Sequence, residues 1–331
     1  MTTDSAKVYF TNLRTYGRES QLDKLKRLMY RAGIDQIDFE NKFVAIKIHF
    51  GELGNLSFLR PNYARAVADV VKELGGKPFL TDCNTLYVGS RKNALEHIDT
   101  AYQNGFTPYA TGCQVIIADG IKGTDETLVP VKNGEYVKEA KIGHALMDAD
   151  IVISLTHFKG HEQAGFGGAM KNIGMGGGSR AGKMEQHAAG KPSVNVERCI
   201  GCHACEKICA HGAFSFDEVR EYTTASGKTR EVHVATIDHD RCVGCGRCIA
   251  VCPKNAVQIN WDETTTNLNR KIAEYTKAVV DGRPCFHISL VIDVSPTATA
   301  VPRTTWPSCP TWACSPPSTR WPSIRPAPTP A

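Results

Sequence analysis

Hydrophobic positions along this chain fall into two alternating rhythms. Glu19–Ala32 carries Leu22, Leu25, Leu28 and Met29 at helical spacing and is closed by Gly33, which predicts a helix with a glycine cap. Pro61–Leu74 opens with proline in its first turn and is followed by Gly75 and Gly76, the polarity expected of a second helix. Arg91–Gln103, ended by Gly105, and Trp261–Val280 read as two more. Between these lie apolar runs of strand length: Lys7–Thr11, Phe43–Phe50, Lys77–Asp82, Gln114–Ala118, Ile151–Leu155 and Cys285–Val294. Phe43–Phe50 is almost continuously apolar, as a strand covered on both faces would be. Strands alternating with helices predict an α/β fold, with a mostly parallel sheet flanked by helices.

The rhythm breaks between residues 191 and 261. Cys199, Cys202, Cys205 and Cys209 stand at C-x2-C-x2-C-x3-C, and Cys242, Cys245, Cys248 and Cys252 repeat the spacing, followed by Pro253. Aligning Cys199 on Cys242 also superposes Arg198 on Arg241, Gly201 on Gly244, Ala213 on Ala256 and Phe216 on Ile259, an internal repeat. Such a loop can place three thiolates on one iron–sulfur cube and send the fourth to another. The stretch Val194–Asn260 resembles a bacterial two-cluster ferredoxin. That resemblance implies an inserted α+β ferredoxin-like domain holding two [4Fe-4S] clusters. The fourth cysteine would cross over, with Cys199, Cys202, Cys205 and Cys252 on one cluster and Cys242, Cys245, Cys248 and Cys209 on the other. Ala210 departs from the family pattern, which has proline there. Structural zinc sites use C-x2-C pairs set further apart, and nothing marks the chain for the secreted setting that favours disulfides. Phe214–Phe216 and Val232–Ile237, joined through Ser226-Gly227-Lys228, read as a hairpin beyond what a minimal ferredoxin needs.

The expected organisation is therefore an α/β domain over 1–190, the cysteine-rich domain over 191–261, a return to the α/β domain over 262–296, and a tail over 297–331. Polar residues gather after the α/β strands, where open sheets of this class bind ligands. They include Lys47 and His49 after the second strand and Asp82 after the third. His157, His161 and Lys171 follow Ile151–Leu155 within a glycine-rich stretch. Glycines let backbone N–H groups approach an anion and lysines add charge. Histidine can move protons near neutral pH, and His157 with His161 could share a metal if that segment were helical. The plainer alternative is that the glycines only make turns and the histidines only cap backbone. Cys83, Cys113 and Cys285 sit in apolar settings and read as packing.

The motifs K-I-H-F-G-E, L-T-D-C-N-T-L-Y, T-H-F-K-G-H and G-F-G-G-A-M-K-N-I-G-M-G resemble the domain-of-unknown-function 362 family over nearly all of residues 5–296. This resemblance implies a fold and an iron–sulfur cofactor, not a reaction. H-x3-H followed by a glycine-rich M-K segment is also similar to the N-terminal domain of nickel-dependent lactate racemases, which points only to a metal or an anionic substrate at those histidines.

Composition changes this picture in two places. The net charge of +5 includes Arg303, Arg320 and Arg325 from a tail without acids, leaving +2 for the rest and no basic stripe, so nucleic acid is not expected as a partner. No apolar run reaches the ~18 residues of a membrane span, and the first residues lack a signal-peptide pattern, so a cytoplasmic protein without a membrane partner is expected. From Thr297 the chain becomes rich in Pro, Thr, Ser and Ala, with three tryptophans and no usable periodicity. Thr311–Trp321 can be encoded so that a one-base shift yields N-V-G-M-L-A-S-F-D-P-V, so the tail reads as out of frame or disordered. The expected function is an iron–sulfur oxidoreductase, its clusters relaying electrons to or from a small anionic substrate in the α/β cleft. The alternatives are an electron carrier docking a redox partner protein, and a metal-dependent isomerase-like enzyme with structural clusters.

Overall fold

Each β-strand of the central sheet is followed by chain that packs back on it, in the computed structural model, which describes residues 7–295 except 88, 188–190, 225, 261 and 262. Helix α1 (Gln21–Arg31) starts at Ser20, whose side chain and that of Asp23 cap each other's backbone N–H groups. Then come β1 (Phe43–Lys47), α2 (Pro61–Glu73), β2 (Lys77–Asp82), α3 (Ala94–Gln103), the short α4 (Pro108–Thr111) and β3 (Gln114–Ile117). A hairpin of β4 (Glu126–Pro130) and β5 (Glu139–Gly143) leads through α5 (His144–Asp148) to β6 (Ile151–His157). A second hairpin, β7 (Lys159–His161) with β8 (Gly165–Gly167), precedes a π-helical turn over Lys171–Met175 and α6 (Arg180–His187).

The cysteine-rich stretch contains β9 (Pro192–Val194), α7 (Ala204–Ile208), the hairpin β10 (Phe214–Thr223) and β11 (Thr229–Ile237), α8 (Arg247–Val251) and β12 (Val257–Ile259). Strand β12 returns to pair antiparallel with β9, so this unit closes on itself. The chain then re-enters the α/β body through α9 (Thr265–Val280) and β13 (Cys285–Leu290). The main sheet has the order β13-β6-β1-β2-β3, with each neighbouring pair parallel.

Strand alternation sorts the core into two layers. Val44, Ile46, Leu80, Ile151, Ile153 and Leu155 face α1 and α2, meeting Leu25, Met29, Val67 and Val71. Ala45, Phe79 and Val152 face the other way and meet Tyr275, Ala278 and Val279 of α9. Each valine or leucine so buried contributes about 2 kcal/mol, which is why α9 belongs to the sheet despite the long excursion before it.

Several expectations need correcting. Lys7–Thr11 is not a strand: it has no regular structure, and Val8 and Phe10 stay exposed. Asn93 caps α3, so that helix begins at Ala94 rather than Arg91. Strand β13 stops at Leu290, and the hairpin β10–β11 is longer than the apolar alternation suggests. The tail 297–331 lies outside the described residues.

Candidate functional site

The carboxyl ends of β1, β2 and β6 open on a cavity of about 390 Å³. Lys47, His49, Asp82, His157, His161 and Lys171 all line it, although they come from five separate segments. Arg91, Lys159, Asn172, Lys183 and His187 join them.

Its floor is a buried ion network. Lys47 Nζ lies 2.9 Å from Asp82 Oδ1 and donates to Asn172 Oδ1 at 3.0 Å. Asn172 in turn donates to the Lys47 carbonyl and to Thr156 Oγ1, each at 3.0 Å. Burial pushes the Asp82 carboxyl up, but Lys47, His97, Lys183 and Arg91 together hold it below its ordinary range. Gly176 is required here, because a Cβ at that position would lie 2.5 Å from Lys47 Nζ. Arg91 donates from Nε to Glu52 at 3.0 Å, and Glu52 also accepts the Ser90 N–H at 2.7 Å. Arg91 Nη2 is buried without a hydrogen-bond partner among the described residues.

The histidines are held neutral, each with its tautomer set by the backbone. Gly51 N–H donates to His49 Nδ1 at 3.0 Å, which puts the proton on Nε2, 3.1 Å from Arg91 Nη1. Burial, then Lys159 and Arg91, depress the His49 pKa well below its ordinary value. His157 Nε2 donates to the Ile292 carbonyl at 2.7 Å, leaving a bare, buried lone pair on Nδ1. Burial, helped by Lys159, brings its pKa down to about 4. His161 Nδ1 accepts from Gln163 and Ala164 N–H groups at 3.2 and 3.1 Å, and burial with two lysines lowers its pKa to about 3. The helical condition for His157 and His161 to share a metal is not met: they end β6 and β7. His161 Nδ1 is already taken by backbone donors, so its remaining nitrogen carries the proton. Burial and neighbouring cations lower Lys159 to about 7, and burial brings Lys171 to about 8.

The structure also gathers the cysteines. Cys199, Cys202, Cys205 and Cys252 line one small cavity between the repeats. Cys242 and Cys245 both raise the pKa of Cys248, which burial raises most. The two loops match in backbone: Gly201 and Gly244, His203 and Gly246, Gly212 and Asn255 all hold positive φ, between 50° and 71°. Ala213 N–H donates to Cys209 Sγ at 3.5 Å, and its counterpart Ala256 to Cys252 Sγ at 3.1 Å. Ala235 N–H donates to Cys199 Sγ at 3.4 Å. All the cysteines among the described residues are free thiols. No three Cys, His, Asp or Glu side chains among the described residues are grouped so as to hold a metal ion. Cys83 lines the ionic cavity, and Cys113 and Cys285 lie elsewhere; burial pushes up all three thiols.

Helix α6 and Leu86 join the two regions. Lys183 and His187 line the ionic cavity while Met184 of the same helix belongs, with Leu86, to the apolar cluster that holds Cys199, Cys205 and Cys248. Leu86 itself also lines the ionic cavity. Arg180 donates to the carbonyls of Lys122 at 3.0 Å and Thr85 at 3.1 Å, and also to that of Lys92. Lys92 reaches Asn255 across the boundary. Sequence reasoning placed Glu52, Lys159 and Lys183 among the strand-end polar residues without bringing them into the candidate set, and it missed Arg91. Glu52, Lys159 and Lys183 lie in or just beyond the quoted motifs, but Arg91 was read as the start of a helix.

The molecule is thus an α/β protein with a parallel five-stranded sheet and a cationic cleft at its strand ends. The chain belongs to the family described as "Domain of unknown function (DUF362)", whose model matches residues 44–310 and so ends inside the tail expected to be out of frame. It is 29% identical over 126 residues to the thylakoid-associated protein sll1697 of Synechocystis, covering 36% of this chain and 33% of that protein. The chain therefore spans about a third of that curated relative. Among solved structures, a protein from Thermotoga maritima gives a TM-score of 0.37 at 13% identity, covering 52% of this chain and 41% of the other. The lactate racemase apoprotein of Thermoanaerobacterium thermosaccharolyticum gives 0.33 at 12% identity, covering 72% of this chain and 53% of the other. Both are distant likenesses. No helix among the described residues is long and apolar enough to cross a membrane.

Proposed function

We propose that this chain is an iron–sulfur oxidoreductase whose ferredoxin-like unit exchanges electrons with a small anion in the α/β cavity. The observation that carries this reading is the shared wall: Leu86 lines the ionic cavity and belongs to the same apolar cluster as Cys199, Cys205 and Cys248. The spacing of the eight cysteines supports two [4Fe-4S] clusters, and the geometry supports the first of them. Three thiols of the first motif and the last of the second surround one cavity, and backbone N–H groups point at sulfur from equivalent positions of both repeats. When bound, such clusters supply single-electron transfer.

The chain's own residues do the rest. Lys159, Lys171 and Lys183 provide positive charge for the anion, while Lys47 and Arg91 are already neutralised by Asp82 and Glu52. His157, unprotonated at Nδ1 and oriented by Ile292, is placed to take a proton from the bound molecule. Lys159, titrating at about 7, is placed to give one. Leu86 and Met184 keep the boundary apolar and exclude water from it.

Iron and acid-labile sulfide analysis with EPR on anaerobically purified protein tests the proposal. About eight irons and eight sulfides per chain are expected. Zinc in place of iron, with no labile sulfide, refutes it. A cluster-loaded protein that exchanges electrons with a partner regardless of Lys171→Met or His157→Ala is a carrier instead.

A further inference from the structure

We propose that Lys159 condenses with the carbonyl group of a small α-oxo acid held in the cavity, forming an imine at Nζ while Lys171 faces the acid's carboxylate. This rests on the cavity being the substrate site, and not on what the cysteines hold.

The hairpin β7–β8 sets the lysine in place. Lys159 stands opposite Gly167 in the strand register, and the side chain that Gly167 lacks leaves the lysine stem uncovered. An ideal Cβ there would lie 3.6 Å from Lys159 Cγ, 3.8 Å from its Cε and 3.8 Å from Lys171 Cδ. Both stems therefore border one gap, and both residues line the cavity. Lys159 is the deeper of the two, at 9% exposed, whereas Lys171 is half-buried. Two ammonium groups this near each other in a poorly hydrated space are costly, and the cost falls most when the deeper one gives up its proton. Burial first, then Lys171 and Arg91, bring Lys159 down to about 7, while Asp82 pulls the other way. The exposed Glu162 supports the charge on Lys171, which titrates at about 8. At neutral pH about half of Lys159 is then free amine, against about one in 2,500 for an exposed lysine. A desolvated lysine beside a second cation is a nucleophile for carbonyl carbon.

The nitrogen lone pair attacks that carbon, and the carbonyl π pair moves to oxygen, which takes up one proton shed by nitrogen. The resulting hydroxyl leaves with nitrogen's second proton as water, and the C=N bond remains. Amine and oxo acid thus give imine and water, with no oxidant or reductant. His157, two residues before Lys159, lines the same cavity with a bare lone pair on Nδ1 and is placed to carry these protons. Lys159 is the foremost charge felt by both His157 and His49, so the two rings lie beside it.

Cyanoborohydride reduces an imine where it forms. The full chain treated with it and pyruvate at about pH 7, then digested and read by mass spectrometry, reports which lysines condense. We expect Lys159 to be marked at least about tenfold faster than the exposed Lys7 and Lys228. Acetone, which has the carbonyl and no carboxylate, should mark it at least about tenfold more slowly than pyruvate, both rates taken relative to those exposed lysines. Lys171→Met should bring pyruvate to within about threefold of acetone. Marking of Lys159 no faster than of exposed lysines, marking of Lys171 in its stead, or equal rates for pyruvate and acetone would each overturn the proposal. The unmodified protein gives all three readouts even if the variant does not fold. Iron measured on the same sample separates the two readings: marking without iron sinks the electron relay alone, and iron without marking sinks this inference alone.

Discussion

The cysteine-rich unit and the ionic cavity solve the problem of assembling a site in opposite ways. Each cysteine loop carries its chemistry within eleven residues, Cys199–Cys209 and Cys242–Cys252, and repeats its backbone turns in register. The cavity draws Lys47, Asp82, His157 and Lys171 from positions far apart in the chain and holds them by a sheet and a network of ion pairs. A local site survives sequence change elsewhere, because spacing alone fixes its geometry. A site assembled from distant segments depends on the fold being right and on every buried charge finding its counterpart.

The sharpest way to break the comparison is to cut both cysteine loops. Cys199 and Cys252 share a cavity, so Cys199→Ala with Cys252→Ala should remove one cluster and leave about four irons per chain. Cys199→Ala with Cys209→Ala should remove both. Iron analysis and EPR read the outcome, and the reverse pattern would show that each loop keeps all four of its own thiolates.

The cavity should instead fail through its ion network. Asp82→Asn leaves Lys47 and Arg91 facing an amide inside the protein, which should cost about 3–5 kcal/mol in a urea titration. Adding Lys47→Met should recover part of that loss, since the buried cation goes with its partner. A loss below about 1 kcal/mol for Asp82→Asn would mean that water reaches the pair and that the cavity is not closed.

The same contrast decides how much could be read from sequence. The parallel sheet and the helices α1 and α2 were legible, because Leu22, Leu25 and Met29, or Val44 and Ile46, state their periods directly. The six cleft residues were legible as strand-end positions, since side chains leaving the carboxyl ends of parallel strands point at one crevice. Arg91 was not, because its role depends on Glu52 and His49, which sequence separation hides. The strand at Lys7–Thr11 was misread for a related reason. Its alternation of Val8 and Phe10 is a strand pattern, but the segment joins no sheet and both residues stay exposed. The pair His157 and His161 shows the limit most plainly: i, i+4 spacing means proximity only on a helix, and this segment is a strand end and a hairpin.

Proton linkage sharpens the cavity side of the comparison further. Lys159 and Lys171 titrate at about 7 and about 8 in the folded chain, below the lysine value of about 10.4 that an unfolded chain retains. From about pH 7 to 8 the unfolded chain binds more protons at these lysines than the folded one, so stability of the ligand-free protein should rise with pH there; above about 8.5 the buried thiols, whose pKa values burial raises, oppose it. The charges acting on these lysines are those of Glu162, Lys47, Lys183, Arg91 and Asp82. Urea midpoints at about pH 6.5 and about pH 8 check the sign. A free protein that weakens with rising pH would contradict the assignment.

The smallest effect should come from the seam between the regions. Arg180 is fully buried, makes its hydrogen bonds to backbone carbonyls, and lies against Gly246, close enough to Cys245 and Cys248 to feel their charge. A cation held there favours the more negative, reduced state of whatever those thiolates hold. Arg180→Met should lower the reduction potential of that cluster on the order of 60 mV, the tenfold step of a one-electron couple, and leave the cluster beside Cys252 nearly unchanged. Arg180→Lys should restore most of the difference, because charge rather than shape sets a potential. Rescue by lysine separates electrostatic tuning from loss of packing, since an ammonium could not reproduce three carbonyl contacts made through a guanidinium fork. Equal shifts in both clusters, or no rescue, would assign Arg180 to holding the two regions together and nothing more.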